Sequence, residues 1–151
     1  MSSWSIFLVT LVVGASAIVA VSAYWNGSSS LGRVPARIDV PFQLRVSQTA
    51  FIDSLNLSIG FVAVNEDSRC PSDVVCIWEG QATIIVNVRS PNINPSNFNL
   101  TSRGGESNLS VRDFHDFSMR FLEIAPYPKS TGHIGTSDYL ATLVVTLPSR
   151  A

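Results

Sequence analysis

The sequence predicts an all-β domain, an antiparallel two-sheet sandwich, preceded by one hydrophobic helix at the N-terminus. Three observations predict it. From Ile38 onward the apolar residues recur with period two rather than 3.6. Turn-forming residues punctuate those runs, and no amphipathic helical pattern interrupts them. The first charged side chain is Arg33, so everything before it is uncharged.

The elements follow in order. Trp4 to Trp25 reads as one apolar stretch; as a helix it would extend about 33 Å, close to the ~30 Å hydrocarbon core of a bilayer. Residues 1–25 are therefore a signal anchor or a cleavable signal peptide. The length of the run favours a retained anchor, and Trp4 with Tyr24 and Trp25 would form aromatic belts at its two ends. Val21-Ser22-Ala23 supplies the small-residue cleavage site that the signal-peptide reading requires. No cysteine ends the run, so lipid attachment has no support. Residues 26–37 are a Ser- and Gly-rich linker, and residues 38–151 the folded domain.

Within that domain Val40, Phe42, Leu44 and Val46 alternate with polar residues, and Pro41 assigns this run to an edge or first strand. Leu55 to Ala63 gives the next face, and Ala82 to Val88 is more continuously apolar and hence more central. Phe98 with Leu100, and Leu109 with Val111, mark two short strands. Met119 and Phe121 set one phase while Leu122 and Ile124 set the other, which predicts a bulge. Tyr139 to Leu147 closes the domain. Arg89–Asn97 and Pro126–Gly135 read as loops. Seven strands in this pattern make an immunoglobulin-like β-sandwich.

Composition excludes several functions. The chain has 151 residues, 46% hydrophobic and 14% charged, with a formal net charge of −1. With a single lysine, Lys129, it is a poor polyanion binder, and no nucleic-acid partner is expected. His115 and His133 are the only histidines. Neither stands in a nucleophile-elbow pattern, and Asp113 and Asp116 beside His115 read as local charge pairing. No acid–base–nucleophile set assembles, so the chain is not expected to be an enzyme, and no cofactor or metal is expected.

Cys70 and Cys76 are the only cysteines. Along a strand their six steps would span about 20 Å. They pair only if Pro71 to Val75 folds back, and Pro71, Ser72 and Asp73 favour that turn. An even cysteine count behind an export segment reads as a disulfide, and CxxC redox or zinc spacing is absent. The disulfide places the domain outside the cytoplasm, on the membrane's outer face or secreted. It overrides the mild contrary hint of Arg33 and Arg37 after the span.

Gln48-Thr49-Ala50, Asn65 to Pro71, Val75-Cys76-Ile77-Trp78 and Gly80-Gln81-Ala82 carry a resemblance. Over residues 40–147 the chain resembles a group of small exported archaeal and bacterial all-β domains sharing a DSRCP…V.C.W.G stretch. Residues 66–82 are the specific part. The resemblance implies export, a disulfide and a β-domain, and supplies no catalytic residues. Where such domains often carry a small residue after the tryptophan, this chain has Glu79.

The candidate binding residues surround the same loop: Glu66, Asp67, Asp73, Trp78 and Glu79. The four acids could offer oxygen ligands to Ca²⁺, but no calcium-loop spacing is present. The simpler reading pairs Asp67 with Arg69 and lets Asp73 cap the turn. Trp78 is expected to pack over the disulfide and plug one end of the sandwich; an exposed contact platform is the alternative.

Asn26, Asn56, Asn99 and Asn108 head N-x-[ST] sequons and are candidate glycosylation sites. In the last three, strand alternation would turn the central leucine inward and the asparagine outward. The leading expectation is a non-enzymatic surface domain that contacts a protein, a glycan or a neighbouring copy. A small-ligand or Ca²⁺ module on the acidic cysteine loop is one alternative, and a pilin- or filament-like subunit another. The pilin-like reading lacks the basic residues expected before its apolar run.

Overall fold

The computed structural model describes residues 32–103 and 108–148. The expected N-terminal helix, residues 4–25, and Asn26 lie outside the described residues. Among the described residues no helix is long and apolar enough to cross a membrane. Nine strands among the described residues form two sheets packed as a sandwich. In chain order they are β1 (Arg33–Pro35), β2 (Phe42–Arg45), β3 (Thr49–Ile52), β4 (Leu57–Asp67), β5 (Gln81–Ser90), β6 (Ile93–Arg103), β7 (Val111–Asp113), β8 (Ser118–Ala125) and β9 (Leu140–Thr146). One sheet has the order β1-β3-β4-β5-β6 and the other β2-β9-β8-β7.

Alternation builds the core. Leu57, Ile59 and Phe61 of β4 and Ala82, Ile84, Val86 and Val88 of β5 point inward from one sheet. Phe42 and Leu44, Met119, Phe121 and Ile124, and Ala141, Leu143 and Val145 meet them from the other. β2 and β8 leave their intervening charged and amide residues at the surface, whereas Thr83 of β5 and Thr142 of β9 are buried. The predicted phase change in β8 is a bulge. Its register with β9 shifts between Phe121 and Glu123, and Leu122 turns outward while Ile124 is buried.

Several expectations need correction. Nine strands replace seven, because β1 and β3 are too short to show a full alternating run. β1 falls inside the stretch read as linker, and it pairs parallel to β3, so the sheets are not wholly antiparallel. Val40 is exposed, and the first long run starts its strand only at Phe42. Leu55 belongs to a 3-10 turn, Asp53–Leu55, that precedes β4. Arg89–Asn97 is not a loop: Ser90 pairs with Ile93, and only Pro91-Asn92 turns the chain. Pro95 is tolerated there because β6 is an edge strand. Asn108–Ser110 is a 3-10 turn, so Leu109 is 62% exposed rather than turned inward.

Candidate functional site

The β4–β5 hairpin carries the cysteine loop. Its ladder continues past the Asp67↔Ala82 pair through Ser68 N–H to the Gln81 carbonyl (2.8 Å) and Cys70 N–H to the Glu79 carbonyl (3.0 Å). Gly80 is required in that ribbon. Its φ is +71°, and a Cβ would collide with the Ser68 carbonyl. Cys70 and Cys76 form the expected disulfide, with Cα atoms 5.9 Å apart. Pro71 starts the turn that brings them together, and its carbonyl accepts from Val74 N–H (3.3 Å).

The base of the loop is an ion pair shared between the two sheets. Arg69 donates through Nε and Nη2 to both oxygens of Asp67, at 2.7 Å each. It also donates to the carbonyls of Ile124 (2.6 Å) and Pro126 (2.9 Å), at the end of β8. Tyr139, next to β9, donates its hydroxyl to Asp67 Oδ2 (3.1 Å). The Arg69 and Asp67 side chains are only 10% and 7% exposed. Burial pushes the Asp67 carboxyl upward, but the hydrogen bonds and charge of Arg69, with the Tyr139 hydroxyl, outweigh it and hold the group below its ordinary value. Tyr139 is raised by burial and by the Asp67 charge.

A second set of bonds fastens one flank of the loop to the β8–β9 connection. Ser72 N–H donates to the Pro128 carbonyl (3.0 Å). Asp73 accepts from the N–H (2.8 Å) and hydroxyl (2.5 Å) of Ser130. The Ser130 hydroxyl and N–H lower the Asp73 carboxyl below its ordinary value. Asp73 therefore ties two loops together rather than capping its own turn.

The other flank meets solvent. Val75 and Ile77 are fully or nearly fully exposed, and Trp78 is 82% exposed. The expectation that Trp78 packs over the disulfide is thus overturned. The end of the sandwich it was to plug is held by Asp67, Arg69 and Tyr139 instead, and Trp78 and Ile77 line a shallow surface pocket with Ser68, Gln81 and Arg103. Residues 70–73 are pinned to the body while residues 75–78 present apolar side chains outward, on a backbone closed by a disulfide.

The acids do not converge. Glu66 accepts from the Ser68 hydroxyl (3.0 Å) and the Gln81 amide (3.2 Å), and Glu79 is exposed at the loop surface. Among the described residues, no three His, Cys, Asp or Glu side chains are grouped so as to hold a metal ion. His133 lies in the β8–β9 connection. His115 is in the β7–β8 turn, at the opposite end of β8 from Arg69, with Asp116 3.9 Å away. Of the described sequons, Asn56, Asn99 and Asn108 are all exposed, with Leu57 and Leu100 buried behind the first two.

The sequence did not mark Val75, Ile77, Ser130 or Tyr139 as site residues. A signal for the first two existed: apolar residues between turn formers and a cysteine have no strand to bury them. Comparison with protein-family models, curated proteins and solved structures returns no match to this chain.

Proposed function

We propose that the chain is a non-enzymatic extracytoplasmic domain, an immunoglobulin-like sandwich tethered through residues 4–25 or secreted, that works by surface contact. The observation that carries this reading is the exposed Val75-Ile77-Trp78 tip on a disulfide-closed loop. Large aromatic and aliphatic side chains held rigidly in water are the usual anchors of an interface, because their burial on contact costs little conformational entropy. The disulfide supports an oxidising compartment, and the exposed Asn56, Asn99 and Asn108 suit glycosylation there. The resemblance of residues 66–82 to exported all-β domains points the same way.

The test is photo-crosslinking in the native cell envelope. A photoreactive residue replacing Glu79 should give adducts that disappear when Val75 and Ile77 are both changed to serine. The same probe replacing Arg89, at the far end of β5, should give few. Equal adduct formation from both positions would refute the loop as the contact surface.

A further inference from the structure

We propose that the Val75-Ile77-Trp78 tip docks into the interfacial layer of a lipid bilayer, the one in which residues 4–25 are anchored. This inference rests on the tethered reading above and names what the loop contacts. Strand direction is the first argument. β1 is parallel to β3, and β3 is antiparallel to β4, so β1 runs opposite to β4. β4 runs toward the cysteine loop. The chain therefore enters β1 from the side on which that loop projects.

Length is the second argument. Arg33 is level with Thr49 and, through it, with Gly60. From Phe61 to Ser68 the hairpin advances by at most about 23 Å at ~3.3 Å per residue. The same number of residues separates Trp25 from Gly32, a reach of about 23–25 Å when extended. An anchor ending at Trp25 thus lets the tip, which projects beyond Ser68, meet the membrane surface. A tether much shorter would hold the side of the sheet against the membrane, and one much longer would leave the tip's position unset.

Chemistry is the third. Tryptophan prefers the headgroup boundary, where its ring is buried and its indole N–H stays wet. Ile77 and Val75 beside it supply aliphatic surface that stands almost wholly open to solvent among the described residues. The charged groups bordering the tip are Asp73, held by Ser130 and facing Lys129, and Glu79 with Arg103. The last two line a shallow pocket with Ile77 and Trp78, so acids and bases balance. Docking is therefore apolar in origin, and zwitterionic lipid should serve about as well as anionic lipid.

The experiment uses the full chain with Trp4→Phe and Trp25→Phe, so that Trp78 is the only tryptophan, reconstituted in phosphatidylcholine vesicles. Flotation reports the anchor; quenching of Trp78 by acyl-brominated phosphatidylcholine and by aqueous iodide reports the tip. Docking is supported if Trp78 emission is blue-shifted, quenched by the brominated lipid and shielded from iodide, with Val75→Ser plus Ile77→Ser reversing all three. Flotation with Trp78 open to iodide leaves the anchor standing and overturns the docking. Lipid quenching without stable flotation supports the tip and refutes the anchor. Loss of both refutes both. Shielding from iodide without lipid quenching, rising with protein-to-lipid ratio, identifies a second copy as the occupant and overturns the proposal.

Discussion

Trp78→Ala separates an exposed contact residue from a structural plug. With the residue 82% exposed, less than a fifth of a tryptophan's roughly 250 Å² is removed from water by folding, about 45 Å². At about 25 cal/mol per Å² the truncation costs on the order of 1 kcal/mol. A tryptophan plugging the sandwich would cost about 3–5 kcal/mol. For a domain of this size the first value lowers Tm by roughly 3–6 °C, and the second would lower it by roughly 10–30 °C. Urea denaturation followed by circular dichroism, which does not depend on the deleted indole, measures the difference. The midpoint should move slightly with an unchanged slope. A loss above 3 kcal/mol would refute the exposed placement and restore the plug.

The remaining expectations concern what holds the loop. Arg69→Ala leaves Asp67 buried without its cation, at a cost of about 3–5 kcal/mol, whereas Asp67→Asn combined with Arg69→Met should cost less than the single arginine change; a double-mutant cycle with no coupling would contradict the ion pair. Asp67 titrates below its ordinary value in the folded state, so its contribution is fully present above about pH 5 and is lost as pH falls through the unfolded value of about 3.9 and then the folded one. Asp67→Asn should flatten that acid limb in a stability–pH profile. Removing the disulfide by Cys70→Ser plus Cys76→Ser should cost about 2 kcal/mol, the small value expected of so short a loop; chemical denaturation of the pair against wild type would detect it.

Much of the fold was legible because burial on one face writes itself as period two. The runs around β2, β4 and β8 carry that pattern, β5 and β9 show as more continuous apolar runs suited to central strands, and the bulge at Leu122 showed as a change of phase. β1 and β3 were not legible: three or four residues give no period, and a parallel pairing leaves no turn between its strands to announce it. The β5–β6 hairpin was hidden by Pro91 and Pro95, which mark a loop in isolation but are compatible with a tight turn and an edge strand.

The site divides along the same line. The disulfide and the Asp67–Arg69 pair were readable from neighbours in sequence. The exposure of Trp78 was not, because it depends on what else fills the end of the sandwich, and Tyr139 and the Ile124 and Pro126 carbonyls arrive from far along the chain. Asp73 bonded to Ser130 is another long-range contact, invisible to local spacing.

The central claim is an exported domain that presents a disulfide-closed apolar loop outside the cytoplasm. Lys129, the only lysine, is exposed in the β8–β9 connection one residue from the Ser130 that holds this loop. Intact cells treated with an amine reagent that cannot cross membranes, followed by intact mass with and without reduction, test the claim most directly. The account expects Lys129 modified without lysis, and a non-reduced mass two hydrogens below the reduced one. A chain modified at Lys129 only after lysis, with both thiols free, would contradict it.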